Sequence, residues 1–313
     1  MKPISLEGQV VIVTGGAGAL GSAYCREIAR RGGLLLINDL GCSVPGEGSD
    51  ASAAELMAEE IRSMGGQALA NHDSVADSEG ARRIVAAALD RFGRVDAVIN
   101  SAGTMRFGPF EEVTAEDFAA VVDTHLVGSF HIASAVWPHM KAQGHGRIVL
   151  TASAAGLFGN RQMAAYASAK AGVAGLLNVL ALEGEPHGIA CNALLPTAVS
   201  KMANYVGAHS NARAANPAAE RMARFMAPEY NAGLAVWLAS AACTSNGAAY
   251  SSVGGRVARV LVGVGKGWRR DDQAPVTPED IATHLAEIDA APEGFREPRG
   301  VAQEFAIVLD DMA

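Results

Sequence analysis

Tyr166 and Lys170 stand four residues apart in the string YASAK, with only small residues between them. On a helix that spacing puts both side chains on one face. An ammonium held beneath a phenol favours the phenolate, because a nearby positive charge stabilises the ionised form. A free tyrosine titrates near ~10 and is a poor base at neutral pH unless something of this kind lowers it. The five letters alone also describe an exposed tyrosine and a solvated lysine on an ordinary helix. The surrounding chain has to decide.

Ser153 lies thirteen residues earlier, in TASAAG, directly after the apolar run GRIVLT. In a doubly wound sheet, ligands gather outside the carboxyl ends of the strands. Ser153 and Tyr166 could therefore meet over one substrate oxygen. A second set of residues suits a dinucleotide. The run VVIVT leads straight into TGGAGALG, residues 14–21. Glycines there let the backbone turn tightly and approach a pyrophosphate, while the helix that follows offers free N–H groups and a positive dipole. Gly15, Gly18 and Leu20 are the expected contacts. Asp39 ends the next run, in INDLG. A carboxylate at that place accepts hydrogen bonds from the adenosine ribose and repels the extra phosphate of NADP. No Arg or Lys occurs in 14–22 or 37–50, so the expected cofactor is NAD. Asp73 and Ser74 follow the third run, placed to reach the adenine edge. Asn100 opens NSAG, small residues where a nicotinamide ribose needs room.

The elements that must position these residues follow from periodicity. Short apolar runs at 10–14, 34–38, 68–71, 95–100, 146–151 and 189–195 alternate with helix-patterned segments such as 52–64 and 78–92. Strands without polar interruption imply burial on both faces, and the alternation implies a parallel sheet with helices on each side. The expected class is α/β, a Rossmann-type doubly wound parallel sheet. Three segments break the rhythm. Residues 41–50, GCSVPGEGSD, form a loop longer than the usual β–α connection. Residues 197–227 are weakly patterned, as a mobile lid would be. Residues 256–313 form a tail with a helix expected over 278–289, Thr277 as its cap and Pro278 at its first position. No linker divides the chain, so one domain over 1–255 is expected, with 256–313 as an extension.

The 313 residues carry a net charge of -8 and a pI near 5.5, which argues against a nucleic-acid partner. Cys25, Cys42, Cys191 and Cys243 lack C-x-x-C spacing and read as isolated apolar residues in a reducing compartment; no metal site is expected. No apolar run is long enough to span a bilayer, no signal core opens the chain, and DDMA is not a peroxisomal address. These totals point to a cytoplasmic protein without membrane insertion.

Taken together, the glycine turn, Asp39, NSAG, Ser153 and YASAK resemble the short-chain dehydrogenase/reductase family over about residues 8–255. The resemblance implies that Tyr166 is the acid/base, that Ser153 positions the substrate oxygen, and that Lys170 binds the nicotinamide ribose and lowers the tyrosine pKa. Three positions depart from the family pattern: Ala19 for a glycine, His125 for an asparagine that helps a relay water, and Thr197 for the glycine after Pro196. His125 suits a buried, hydrogen-bonded histidine and equally a relay group, since imidazole both donates and accepts.

INDLG with its long loop, HLVGSFH, AVWPHMK, GLFGN, APEY and VTPED are similar to the (R)-3-hydroxyacyl-CoA dehydrogenase branch found in type 2 multifunctional enzymes. That narrower resemblance implies NAD-dependent oxidation of an (R)-3-hydroxyacyl-CoA, fatty or steroid-derived. The family implies a homodimer or homotetramer with helices 115–142 and 163–183 paired between subunits. Lys201, Arg213, Arg221 and Arg224 face only Glu220 in the lid; they attract CoA phosphates or form the solvated face of a helix. Arg221 and Arg224 are the candidate phosphate contacts. Leu157, Phe158, Met202, Tyr205, Phe225 and Met226 line an acyl or sterol pocket, or belong to the core. Two other functions fit the same motifs. One is an NAD-dependent hydroxysteroid or other secondary-alcohol dehydrogenase without CoA. The other is a catalytically silent dinucleotide-binding protein, which has no need of the complete Ser153–Tyr166–Lys170 set.

Overall fold

Strand and helix alternate along the chain as the apolar periodicity requires. The first half runs β1 (Val10–Thr14), α1 (Ala19–Arg30), β2 (Leu34–Asn38), α2 (Ser52–Ser63), β3 (Gln67–Asn71), α3 (Ser78–Phe92) and β4 (Ala97–Asn100). Next, α4 (Ala115–Val122) passes through a π-helical turn, Asp123–Val127, into α5 (Gly128–Gln143). Then come β5 (Gly146–Thr151), α6 (Ala154–Phe158), α7 (Ala164–Gly184), β6 (Ile189–Pro196), α8 (Lys201–His209), α9 (Glu229–Ala239), β7 (Ala249–Val253), β8 (Arg256–Val260), α10 (Pro278–Ile288) and α11 (Val301–Asp311). The computed structural model describes residues 3–209, 224–270, 275–293, 295–296, 298 and 300–311.

The strands form one sheet in the order β3-β2-β1-β4-β5-β6-β7-β8. β8 alone runs antiparallel, against β7. Successive residues of a strand point to opposite faces. Val10, Ile12, Leu36, Val98, Ile148 and Leu150 therefore face α3, α5 and α7. Val11, Val13, Leu35, Ile37, Ile99 and Val149 face α1, α2 and α9. Each such side chain contributes roughly 1.5–3 kcal/mol on full burial, so both faces hold the strand ends in register. Those ends carry the functional residues.

Cap chemistry sets the helix limits. Asp77 accepts from the Glu79 and Gly80 N–H groups at the start of α3, and Gly93 closes it in the left-handed conformation. Thr277 and Asp280 form a capping box on α10, with Pro278 inside the first turn as its sequence requires.

Two helical stretches, Ala115–Gln143 and Ala164–His187, reach the length and apolarity of a membrane span. This corrects the reading that no apolar run is long enough: polar residues interrupt both stretches in the letters, and the first reaches its length only when α4 and α5 are continuous. Their inner faces, including Val136, Met140, Val173 and Leu177, lie in the sheet core. Phe118, Phe130, Val179 and Leu182 remain exposed on the same helices. Residues 256–260, expected to open the extension, form the edge strand of the sheet. Farther on, Phe305, Val308 and Leu309 of α11 pack with Val253, Phe225 and Met226.

Candidate active site

The first strand ends against its neighbour. Gly15 has φ of 64°, and a Cβ there would lie 2.8 Å from the Ala102 backbone. At Gly21 a Cβ would fall 2.1 Å from the Gly15 carbonyl oxygen, so the turn folds back on its own helix. Gly18 caps α1 without any side-chain partner, and no acidic residue stands in the first turn. The first N–H groups of α1 are thus free for an anion. They lie beside β1 and β4, where the strand order reverses and an open α/β sheet leaves its crevice. This cradle, which a Cβ would fill, fits the pyrophosphate of a dinucleotide. Ala19 is the first helical residue and half-buried, so its methyl group is accommodated. Leu20 packs on the core behind the turn.

Asp39 follows β2. Its Oδ2 accepts from the Ala17 N–H at 2.9 Å and its Oδ1 from the Gly41 N–H at 2.9 Å. A carboxylate has about four lone-pair sites, so both oxygens can still accept ribose hydroxyls. The same side chain therefore braces the glycine turn. Asp73 is drawn aside: Oδ1 takes Arg83 Nε at 2.6 Å, and Oδ2 takes Asn71 Nδ2 at 2.9 Å. Ser74 Oγ accepts from the Ala76 N–H at 3.2 Å.

Asn100 has a structural task. Its side chain is buried; Oδ1 accepts from Thr14 Oγ1 at 2.6 Å, and Nδ2 donates to Ser129 Oγ at 2.7 Å. The amide joins the ends of β1 and β4 to α5. Thr14 and Ser129 had no sequence signal, because their partners lie far away along the chain.

The chemistry gathers at the end of β5. Ser153 caps α6, its Oγ accepting from the Ala155 N–H at 3.2 Å. Gly156 lets α6 press on α7: a Cβ there would lie 2.8 Å from the Ala171 nitrogen. Ser153 is thereby brought to Tyr166. Burial pushes the Tyr166 hydroxyl above its ordinary value, and a hydrogen bond with Ser153 opposes the rise. Lys170 is buried, with Nζ donating to the Thr151 carbonyl at 2.5 Å and lying 5.7 Å from the centre of the Tyr166 ring. Its own burial pulls it down to about 7. In the polypeptide alone, burial is the larger influence on the tyrosine and Ser153 the one that opposes it. The ammonium sits over the ring, bonded to a backbone carbonyl, and desolvation dominates both groups.

His125 projects from the π-helical turn into this site, its ring edge-on to Tyr166 with centres 5.0 Å apart. A Cβ on Gly103 would lie 2.3 Å from His125 Cε1, so this glycine makes room for the ring. Nε2 lies 2.7 Å from the Thr104 carbonyl oxygen and 3.2 Å from the Thr104 nitrogen. The shorter contact places the proton on Nε2. Nδ1 is then a buried acceptor with no partner among the described residues. Burial, followed by the Lys170 charge, holds the imidazole well below its ordinary range, against the Thr104 bond. The ring is neutral.

Met105, Phe107, Met163, Met202 and Tyr205 form an apolar wall around Tyr166. Val44 from the long loop and Val301 from α11 join it, contributions that no motif announced. Phe225 and Met226 pack instead with α11, and Leu157 packs on the main core. The guanidinium of Arg224 lies over the Phe225 ring at 4.9 Å. Arg213, Glu220 and Arg221 lie outside the described residues. Thr197, in place of a glycine, is held by its backbone: its N–H donates to the Ser252 carbonyl at 3.0 Å and its carbonyl accepts from Asn231 Nδ2 at 3.1 Å.

Residues 9–210 match the short chain dehydrogenase family. The chain is 39% identical over 294 residues to the peroxisomal multifunctional enzyme type 2 of Mus musculus, covering 92% of this chain and 37% of that enzyme. It is 37% identical over 283 residues to a short-chain type dehydrogenase/reductase of Mycobacterium tuberculosis, covering 90% of this chain and 94% of the other. A solved short chain dehydrogenase from Mycobacterium avium matches with a TM-score of 0.76 at 31% identity, over 92% and 98% of the two chains. The chain thus spans little more than a third of the mouse enzyme's length.

Proposed function

The chain belongs to the short-chain dehydrogenase family of NAD(P)-dependent oxidoreductases, and from that premise we propose that it oxidises an (R)-3-hydroxyacyl-CoA, fatty or steroid-derived, to the ketone with NAD. The convergence of Ser153, Tyr166 and Lys170 beneath an apolar wall carries the reading. Ser153 orients the substrate hydroxyl. Tyr166 takes its proton, and Lys170 binds the nicotinamide ribose from the floor of the crevice. When bound, an oxidised nicotinamide would supply the hydride acceptor. The wall excludes water, which strengthens each of these interactions.

The substrate class is supported by the likeness of INDLG, HLVGSFH and GLFGN to the hydroxyacyl-CoA branch and by the match to the mouse enzyme. Lys201 and Arg224 are the described basic residues of the lid, and both are exposed to solvent. Arg221 and Arg224 remain the proposed phosphate contacts. Formation of reduced cofactor with an (R)-3-hydroxyacyl-CoA, its (S) isomer and CoA-free secondary alcohols, steroids included, tests the proposal. The (R) ester should be preferred, with a KM that rises with salt as exposed charges are screened. Efficient turnover of a free steroid alcohol with none on any hydroxyacyl-CoA would overturn it. The proposed location is the cytoplasm, in keeping with free cysteines. The proposed assembly is a homodimer or homotetramer through α4, α5 and α7, where Phe118, Phe130, Val179 and Leu182 are exposed.

NAD is expected to bind more tightly than NADP, about tenfold for each ~1.4 kcal/mol by which the Asp39 carboxylate repels the extra phosphate. Titration of both cofactors by intrinsic fluorescence measures the ratio. Equal binding would remove Asp39 from the ribose.

His125 is proposed as a relay acceptor: its unpartnered Nδ1 faces a neighbourhood in which Lys170 is the charged group acting on it. His125→Asn should stay active, while His125→Leu should lose turnover at an unchanged melting temperature. Equal activity of the leucine variant and the parent would leave His125 a packing residue.

A further inference from the structure

The loop at 41–50 does more than join β2 to α2. Its neck is closed: the Asp50 N–H donates to the Leu40 carbonyl at 3.0 Å. Gly41 has φ of 70°, and a Cβ there would lie 2.1 Å from the Asp50 oxygen. Asp39 ties down the same neck through the Gly41 N–H at 2.9 Å. The body has its own turn. Ser43 N–H donates to the Glu47 carbonyl, Gly46 N–H to the Ser43 carbonyl, and Glu47 N–H to Ser43 Oγ. This is a compact loop with joined ends, a form in which functional loops recur.

Its tip lands far from its neck. The Val44 carbonyl accepts from the Met105 N–H at 2.8 Å. A Cβ on Gly46 would lie 3.0 Å from Thr104 Cγ2, so the loop rests directly on the segment after β4. The Val44 side chain joins the apolar wall beside Phe107, Tyr166 and Met202. In the sheet, β1 lies between β2 and β4. A loop that leaves the end of β2 and lands beyond the end of β4 must cross the end of β1, where the glycine turn opens.

We propose that residues 41–50 form a strap across the dinucleotide crevice, and that Val44 at its tip is a specificity-determining wall of the substrate pocket. A dinucleotide laid from Asp39 to Tyr166 passes beneath the strap. One backbone hydrogen bond and one valine hold the tip down, so it can lift to admit or release the cofactor and settle again. The same ten residues then touch both ligands: Asp39 holds their neck at the ribose end, and Val44 closes the pocket at the other.

The inference rests on the dinucleotide crevice and not on the substrate proposed above, so NADH alone is the first probe. Replacing residues 42–48 with two glycines removes the tip while keeping the Asp39 neck. In stopped-flow fluorescence this variant should release NADH about tenfold faster, since changes at a binding surface appear mainly in dissociation. A variant folded by circular dichroism that releases NADH at the parent rate would overturn the strap. Val44→Phe tests the wall without shortening the loop. With two secondary-alcohol substrates of different bulk, whichever the enzyme accepts, KM should rise more for the larger one than for the smaller. An equal change in KM for both, or none, would overturn the role of Val44.

Discussion

Tyr166→Phe is expected to lose turnover by ~10²–10⁴-fold, the usual contribution of a positioned acid or base, while binding cofactor as tightly as the parent. Only the hydroxyl is removed. The ring keeps its place in the apolar wall and its edge contact with His125. Burial holds the parent hydroxyl above its ordinary value, and the proton-accepting form is the phenolate. Oxidation by the parent should therefore rise with pH through the neutral and alkaline range, and the phenylalanine variant should lose that rise. Steady-state rates across pH, with a fluorescence titration of cofactor at one pH, make the comparison. A variant that keeps most of the parent rate would assign the proton to another group.

Ser153→Ala should lose ~10²-fold or more in kcat, the scale of a missing acid–base or oxyanion partner. Two effects are removed together. The hydroxyl that orients the substrate oxygen is lost, and so is the bond that helps hold Tyr166 against the rise caused by burial. A third effect is structural, because Ser153 also caps α6, and losing a cap costs about 1 kcal/mol. Ser153→Thr separates them: it keeps a hydroxyl and a capping oxygen, and should recover part of the rate. Equal loss in both variants, with lowered melting temperatures, would reduce Ser153 to its cap.

Much of this was legible in the letters, for reasons that can be named. Largely apolar runs placed β1, β2, β5 and β6, because burial on both faces leaves little room for polar residues. The pair Tyr166 and Lys170 was legible because helical spacing is local. What the sequence hid depends on distant partners. Asn100 reads as a cofactor contact, and only the fold shows that its amide also bonds Thr14 and Ser129, at the ends of other elements. Asp73 reads as an adenine contact, and only the fold shows that Arg83 and Asn71 already bond its carboxylate. The lysine's charge was legible and its cost was not, since desolvation depends on how completely α7 is covered. Val44 sits in a loop with no periodicity to read, and Val301 in a helix far along the chain; only the folded chain places them beside Tyr166. β7 and β8 were missed because Ser and Arg interrupt their apolar pattern at the sheet edge.

The most direct measurement of the central claim follows the hydrogen itself. The enzyme is mixed with NAD and an (R)-3-hydroxyacyl-CoA carrying deuterium on the hydroxyl-bearing carbon, and both products are analysed by mass spectrometry. The mechanism requires the label in the reduced cofactor and a 3-ketoacyl-CoA in equal amount, with neither product formed by Tyr166→Phe at a comparable rate. Unlabelled reduced cofactor, or no ketone from the (R) ester while another alcohol is oxidised, would contradict it.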